Sequence, residues 1–290
     1  MNWLAPLYPF IEITRPVNVA ITFLSVFVGA MVSRSAWSPY FMDVCWAAFS
    51  AGLIAAGGNV INDYCDRNLD RIEKPKRPLP AGRFSARVAV WWAFICFSAG
   101  ILASFAVPFP GMVIAITAAV CLVLYSYIWK RQPLIGNLAV AFIASLAFIY
   151  GGLAVGKIDV AIWAAMLAFL FHLGREITKD LEDREGDAAM GVQTLVVKYG
   201  VLTGRIAATL ALVCLAIALT LPYLIGPFRL NYLLISCIGV GPIIAFTLVW
   251  VWVKREPEQL HLVNTVQKIG MFIGLIALYA GRPAAEFWQL

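Results

Sequence analysis

The sequence predicts an all-α integral membrane protein with nine transmembrane helices. Of its residues, 62% are hydrophobic and only 13% are charged, whereas a soluble domain carries about 25% charged residues. Apolar runs recur along the whole chain, and each has about the 20 residues that a helix needs to cross a hydrocarbon core. Basic residues are distributed unequally between alternate connections. We therefore expect residues 1–290 to form a single membrane domain.

Nine apolar runs are long enough to span a bilayer. In chain order, the predicted spans are 17–34, 42–62, 87–107, 110–129, 135–155, 160–179, 203–225, 230–253 and 264–284. The first run is predicted to be retained, because no small-residue cleavage site of a signal peptide stands out. Residues 3–14 carry apolar side chains at helical spacing. This segment is predicted to be either a short helix at the membrane interface or an N-terminal extension of the first span.

The lysines and arginines predict the orientation of these spans. Eighteen of the 22 fall on the side that holds the N-terminus and the connections after spans 2, 4, 6 and 8. The other side has only Arg34, Lys157, Arg229 and Arg282. The positive-inside rule then predicts a multi-pass protein of the cell membrane with a cytoplasmic N-terminus. Because the net charge of +6 is concentrated on this face, we attribute it to topology and to an anionic substrate, and we expect no nucleic acid as a partner. Membrane lipid is the other expected partner.

Cysteine and histidine do not indicate a metal site. The six cysteines are scattered without a CxxC pair, so we expect buried thiols that pack as small apolar groups. His172 and His261 are too few and too far apart for a zinc site.

Acidic residues gather in two short windows that share one spacing. Both contain the pattern D-x₂-D-x₃-D, as Asp63, Asp66 and Asp70 and as Asp180, Asp183 and Asp187. On a helix these positions form one stripe, and three carboxylates on one stripe repel each other unless a cation lies among them. Oxygen ligands without cysteine or histidine favour Mg²⁺. Two such stripes facing each other predict metal ions that hold a diphosphate between them.

Basic residues accompany both acidic windows at the same membrane face. The connection from Arg67 to Arg87 is rich in lysine and arginine, and Lys130 and Arg131 end the fourth span. Such residues neutralise the charge on a departing diphosphate. Gly57 and Gly58 precede the first window and allow helix backbones to approach closely.

These motifs resemble those of a known family, the UbiA-type intramembrane prenyltransferases. The first signature is similar to Asn62-Asp63-x-x-Asp66-x-x-x-Asp70 followed by Arg77-Pro78-Leu79-Pro80-Ala81-Gly82, and the second to Arg175 through Asp187 followed by Gly191-Val192-Gln193-Thr194-Leu195. Arg15-Pro16 before the first span and Tyr125-x-Tyr127-x-x-Lys130-Arg131 are also similar. The resemblance implies nine helices bundled around a central cavity with a lateral opening to lipid. It also implies a cytoplasmic cap formed by the 2–3 and 6–7 loops.

The resemblance also implies roles for individual residues. Mg²⁺ would be held by Asn62, Asp63, Asp66, Asp70, Asp183 and Asp187. Substrate would be bound by Arg15, Asn18, Asn59, Asn62, Arg77, Lys130, Arg131 and Lys179. Catalytic roles are expected for Asp63, Asp66, Glu176, Asp180 and Asp183. Glu176 stands where many relatives have aspartate, and metal support and proton acceptance remain alternatives for it.

Within the family, the residues of both signatures are most similar to those of enzymes that transfer a geranylgeranyl group from its diphosphate to geranylgeranylglyceryl phosphate, an ether-lipid precursor. The alternative acceptor is an aromatic quinone precursor such as 4-hydroxybenzoate. In either reaction the acceptor attacks C1 of the prenyl diphosphate, and a hydroxyl acceptor must also lose a proton. For a phosphate-bearing acceptor, the loop from Lys74 to Arg83 is the predicted phosphate pocket.

Two other classes of protein compete with an enzyme. A transporter would place ionisable groups near the bilayer midplane, whereas the acids here cluster at predicted helix ends, and solute counterflow without prenyl transfer would favour that class. A membrane scaffold with a cation-binding surface does not explain the repeated spacing. It would show no thermal stabilisation by Mg²⁺ with prenyl diphosphate.

Overall fold

The computed structural model describes residues 8–253 and 257–283, and these residues form a bundle of helices. Its helices are α1 Tyr8–Ile13, α2 Pro16–Ser33, α3 Phe41–Glu73, α4 Ala86–Ser104, α5 Phe109–Tyr127, α6 Ile135–Ala154, α7 Asp159–Glu182, α8 Arg184–Ala189, α9 Leu195–Tyr199, α10 Val201–Ala218, α11 Leu221–Leu224, α12 Leu230–Ile235, α13 Gly241–Val253 and α14 Pro257–Ala280. A π-helical turn, Ser236–Val240, joins α12 to α13.

Nine helical segments within the described residues are long and apolar enough to cross a membrane, as predicted. Most lie within a few residues of the predicted spans. The main difference is α3, which was predicted to end at residue 62 and continues as one helix to Glu73. The first acidic window therefore lies on the helix itself, and the predicted loop beginning at Arg67 is wrong. Polar residues lower the hydropathy after residue 62 but do not break the helical backbone.

The N-terminal segment is a separate helix over its described part. α1 is followed by Arg15, whose backbone is in the left-handed region with φ 54°, and α2 then begins at Pro16. A continuous extension of the first span is therefore wrong for residues 8–15. Trp3, Leu4 and Leu7, which carried part of the prediction, lie outside the described residues.

Helices α2 and α6 cross at very close range. A Cβ atom on Gly29 would overlap the backbone of Phe148, and one on Gly151 would overlap the carbonyl oxygen of Val26. Small residues permit this approach, and in a membrane close packing replaces the hydrophobic effect as the force that holds helices together. This crossing fixes two of the walls that surround the central cavity.

The helices that carry the acidic windows lie on opposite sides of that cavity. α3 packs against α2, α4 and α5, whereas α7 packs against α6, α10 and α14. The cavity between them is lined by residues of α2, α3, α5, α6, α7 and α14. Two connections, residues 74–85 and 183–194, meet above its polar end through the pair Lys74–Asp183.

Candidate active site

The first acidic window presents a different face from the predicted one. Asn62, Asp66 and Asp70, at positions i, i+4 and i+8 of α3, line a small polar chamber of about 50 Å³. The Nδ2 of Asn62 donates a hydrogen bond to Asp66 over 2.9 Å. Asp63 is not among the residues that line this chamber. The stripe Asp63–Asp66–Asp70 is therefore wrong as a description of the face that meets the cavity.

Asp63 is instead held by two arginines. It is only 3% exposed, Arg15 donates to its carboxylate, and Arg77 donates to the same oxygen over 3.3 Å. Arg77 also forms a bidentate contact with Asp70, with distances of 2.7 and 2.9 Å. The left-handed backbone at Arg15 is uncommon for a residue with a side chain, and here it accompanies a guanidinium that reaches the site. Asp63 thus joins the α1–α2 turn to the connection after α3.

The second acidic window is not a single helical stripe. Helix α7 ends at Glu182, Asp183 caps it, and Asp187 lies on the short helix α8. The prediction of one straight stripe over Asp180, Asp183 and Asp187 is therefore wrong. Asp180, Asp183 and Asp187 nevertheless all line the polar chamber, together with Glu176, because the chain folds back over the end of α7.

Basic and amide side chains outside the two acidic stripes contact the acids of both windows. Lys130 contacts Asp66, Lys74 lies 3.5 Å from Asp183, and the Nδ2 of Asn137 donates to Asp180 over 2.9 Å. Burial lowers the pKa of the Lys130 ammonium group, but the charge of Asp66, its hydrogen bond to Lys130 and the nearby Tyr125 together raise this pKa above its ordinary value. Both windows therefore face one chamber in which acids and bases alternate.

The donor set of this chamber fits a hard divalent cation. The Oδ1 of Asn62 is buried and has no hydrogen-bond partner, and it lies beside the carboxylate of Asp66. Burial and the neighbouring Asp183 raise the pKa of Asp187 to about 6, so a cation near Asp187 would compensate a charge that its surroundings disfavour. No three acidic, histidine or cysteine side chains among the described residues already stand at metal-binding spacing. Ammonium groups of Lys74 and Lys130 contact the acids instead.

A larger cavity of about 520 Å³ adjoins the polar chamber. The two share six lining residues, which are Arg15, Asn62, Arg77, Tyr125, Glu176 and Lys179. Away from them the walls are mostly apolar, with Ile114, Ala118 and Ile143 among the residues that line them. The predicted substrate residues Asn18 and Asn59 also line this cavity, and Asn59 donates to the carbonyl oxygen of Thr14 over 2.8 Å.

Glu176 lies at the junction of the two spaces. Its carboxylate accepts hydrogen bonds from Arg175 over 2.7 Å and from Lys179 over 3.3 Å. It is therefore a buried, ionised group with a fixed orientation, between the acids of the chamber and the apolar cavity. Either alternative predicted for it, metal support or proton acceptance, fits this position.

One predicted substrate residue is not brought to the site, and several site residues were not predicted. Arg131 is exposed and lines neither cavity, because the turn after α5 directs Lys130 inward and leaves Arg131 outside. Asn137 and Lys268 line the cavities but were not singled out from the sequence. Their signal was a single polar residue inside an apolar span, which by itself does not tell a site residue from a helix contact.

Comparisons with known proteins match most of the chain. The model described as the UbiA prenyltransferase family matches residues 22–276. The digeranylgeranylglyceryl phosphate synthase of Methanopyrus kandleri is 36% identical over 276 residues, which covers 93% of this chain and 98% of that protein. The enzyme of the same name from Methanosphaera stadtmanae is 31% identical over 273 residues, covering 94% and 98%.

Solved structures show the same fold. A structure of a digeranylgeranylglyceryl phosphate synthase superposes with a TM-score of 0.74 at 29% identity and covers 96% of this chain and 99% of its own. A UbiA homologue from Archaeoglobus fulgidus, bound to GPP and Mg²⁺, superposes with a TM-score of 0.71 at 21% identity and covers 94% and 99%.

Proposed function

Because this chain belongs to the UbiA prenyltransferase family, we propose that it transfers a geranylgeranyl group from geranylgeranyl diphosphate to geranylgeranylglyceryl phosphate, with Mg²⁺ as cofactor. The observation that carries the proposal is a chamber of opposed acidic windows that opens into an apolar cavity of about 520 Å³. The name of the relatives that cover nearly the whole chain supports the lipid acceptor over an aromatic one.

The polar chamber would hold the diphosphate of the donor. Mg²⁺ bound there supplies charge neutralisation and Lewis-acid assistance to the departing diphosphate. Its oxygen ligands would come from Asn62, Asp66 and Asp70 on one side and from Asp183 and Asp187 on the other. Asp63 would position Arg15 and Arg77 rather than bind metal, since both guanidinium groups already contact it.

The chain's own cations would bind the diphosphate oxygens and keep the leaving group in place. Lys130 and Arg77 line the chamber and form ion pairs with Asp66 and Asp70. The carboxylates of Asp66 and Asp70 would serve as metal ligands, and Lys130 and Arg77 would then turn to the diphosphate oxygens. Such preorganised charges stabilise the negative charge that develops as the C1–O bond breaks.

The acceptor would react at the junction of the two spaces. Its hydroxyl oxygen forms a bond to C1 of the prenyl chain, the C1–O bond to the diphosphate breaks with its electron pair, and the hydroxyl proton passes to Glu176. Apolar walls exclude water, which would otherwise intercept the electron-deficient C1. Asp180, held by Asn137, would keep the donor side of α7 in place.

The whole chain would act as one domain, with its site at the cytoplasmic face of the membrane. Eighteen basic residues on one side support this orientation. The C-terminal ends of α3 and α7 lie together at this side. Prenyl diphosphate made in the cytosol would then reach the polar chamber without crossing the bilayer.

The test uses purified protein with Mg²⁺ and geranylgeranyl diphosphate, offered geranylgeranylglyceryl phosphate or 4-hydroxybenzoate in parallel. Mass spectrometry is expected to detect digeranylgeranylglyceryl phosphate and no prenylated benzoate. Product with the aromatic acid alone would contradict the proposal. The same assay in EDTA serves as the metal control, and we expect turnover to be lost there.

A further inference from the structure

The charges that line the larger cavity are far from balanced. Its lining includes five cationic side chains, namely Arg15, Arg77, Arg175, Lys179 and Lys268. Among the described residues, the only carboxylate in that lining is Glu176. The polar chamber, by contrast, is lined by six carboxylates and five cations. The two spaces are therefore suited to different ligands, the chamber to a metal–diphosphate complex and the cavity wall to an anion without metal.

Two of the five cations are already neutralised by carboxylates behind them. Arg15 pairs with Asp63, and Arg77 pairs with both Asp63 and Asp70. The remaining three lie on α7 and α14, and two of these, Arg175 and Lys179, share the single carboxylate of Glu176. The excess positive charge is thus located on one wall of the cavity.

Lys268 completes this group from the facing helix. It is exposed, it lines the cavity, and it is within electrostatic range of Arg175 and Lys179. The carboxylate of Glu182 also acts on Lys268, but its oxygens already contact His261 and Asn264. Three positive charges therefore lie where α7 and α14 meet, with the carboxylate of Glu176 paired to two of them, and a further anion would be attracted to the remaining positive charge.

Three basic residues of the loop predicted to bind the acceptor's phosphate already form contacts with other acidic residues. Arg83 forms a bidentate pair with Glu12, with distances of 2.8 and 3.0 Å, and it lines neither cavity. Lys74 contacts Asp183, and Arg77 holds the first acidic window. A phosphate pocket in the Lys74–Arg83 loop is therefore not supported. Among the described residues, the remaining concentration of positive charge along the cavity is the α7–α14 wall.

We propose that Arg175 and Lys268 form a metal-independent subsite that binds the phosphate of the acceptor lipid. This inference rests on the proposed function, because it takes the acceptor to be a phosphomonoester. Guanidinium groups bind phosphate through paired hydrogen bonds, and the Nε of Arg175 is a buried donor without a partner. Lysine contributes a flexible second charge from the opposite side.

The order of residues along α7 indicates how the subsite would position the acceptor. Arg175 would hold the acceptor phosphate, the adjacent Glu176 would take the proton, and Asp180 lies one turn further along, where the donor site begins. The hydroxyl of glyceryl phosphate lies only a few bonds from its phosphate. Fixing that phosphate at Arg175 and Lys268 would therefore bring the hydroxyl to Glu176 and select acceptors that carry an anionic head group.

The test measures binding of geranylgeranylglyceryl phosphate in EDTA without donor, using native mass spectrometry or intrinsic tryptophan fluorescence. We expect wild-type protein to bind it without metal, and Lys268→Met to weaken binding by about tenfold or more, the loss typical of a charge-assisted hydrogen bond. Lys268→Arg should restore most of the affinity. Lys198→Met, which removes an exposed lysine that lines neither cavity, is the matched control and should bind as wild type does.

A second arm removes the phosphate from the ligand. Geranylgeranylglycerol should bind weakly, and equally weakly to wild-type protein and to Lys268→Met, because this ligand has no phosphate with which Lys268 could pair. In turnover assays the variant should raise the KM for the acceptor and leave the KM for geranylgeranyl diphosphate within about twofold, which a general loss of structure would not do.

The outcomes separate this inference from the proposed function. Wild-type binding that disappears in EDTA, or Lys268→Met binding at wild-type strength, would overturn the subsite even if product forms normally. Metal-free, phosphate-dependent binding that the variant weakens would support the subsite. If the same protein then formed no product with Mg²⁺ and geranylgeranyl diphosphate, the transfer reaction would be refuted and the binding site retained.

Discussion

Two buried carboxylates, Asp63 and Asp187, show how surroundings divide the work among acids of the same type. Asp63 has its charge compensated by two arginines of the chain. Burial raises the pKa of Asp187 to about 6, and the charge of Asp183 makes a smaller contribution. The charge of Asp63 therefore stabilises the folded protein without a bound ligand. The charge of Asp187 destabilises the folded protein until a metal cation binds near it.

This contrast predicts different effects of two isosteric variants on the melting temperature in EDTA. Asp63→Asn should lower it, because removing the charge weakens the interaction with two arginines, at a cost of about 1–3 kcal/mol. Asp187→Asn should leave it unchanged or raise it, because it removes an unfavourable buried charge. Scanning fluorimetry of the purified protein measures both.

The same two variants are then compared with Mg²⁺ and prenyl diphosphate present. Asp187→Asn is expected to lose the additional stabilisation that these ligands give to the wild type, while Asp63→Asn keeps a good part of it. A variant pair that behaves identically in both conditions would contradict the separate roles.

The sequence predicted which acidic residues form the site, but it did not predict which of them face the chamber. Both i, i+3, i+7 and i, i+4, i+8 are neighbouring positions on a helix, so spacing alone did not exclude Asp63 from the lining face. Asp63 does not line the chamber because it contacts Arg15 and Arg77, and Arg15 lies far away in the sequence. Lys268 was missed for a related reason, since a single lysine in an apolar span gains meaning only when α14 is placed against α7.

Among the elements, the crossing of α2 and α6 determines the shape of the cavity most directly. Both helices contribute to its walls, and their separation is set by Gly29 and Gly151, whose hydrogens face the backbone of the partner helix. Any side chain at either position would push the walls apart.

Gly151→Ala is accordingly expected to destabilise the protein, by about 1–3 kcal/mol for an overpacked contact with backbone, and to reduce turnover. Gly274→Ala on α14 is the matched control, because a Cβ there meets nothing within 4 Å. That control should be neutral or slightly stabilising, since it restricts the unfolded chain. Thermal unfolding compares the two, and equal losses in both would show that packing at the crossing has no special role.

Hydropathy predicted the helices well and their ends less well. A run of apolar residues marks where a helix crosses lipid, but it does not mark where the hydrogen-bonded backbone stops. Helix α3 therefore continues to Glu73 through polar residues. Helix α7, by contrast, ends at Glu182 within a window that was predicted to be a single stripe.

At the scale of the whole molecule, the chain separates a charged chamber from a long apolar cavity. Helix α5 borders both, with Tyr125 at the junction and Ala118 and Ile114 further into the apolar space. From Tyr125 to Ala118 the helix rises about 10 Å. A prenyl chain that starts at the chamber must pass Ala118 before it reaches the far end of the cavity.

Ala118→Phe should therefore discriminate between donors by length. It is expected to lower kcat/KM for geranylgeranyl diphosphate by about tenfold or more, because its ring occupies the space of the distal units, and to spare geranyl diphosphate. Val120→Phe, on the exposed side of the same helix, is the control and should affect neither donor. A uniform loss with both donors would contradict the path of the chain along α5.

The shared metal site of the two acidic windows is tested most directly by a structure of the protein with Mn²⁺ and a non-reactive thio analogue of geranylgeranyl diphosphate, using the anomalous signal of Mn²⁺ to locate the metal. We expect metal ions bound to oxygens of both windows, Asn62, Asp66 and Asp70 on α3 and Asp183 and Asp187 beyond α7, with the diphosphate between them. Metal bound to one window only, or ligated by Asp63 with its two arginines displaced, would contradict it.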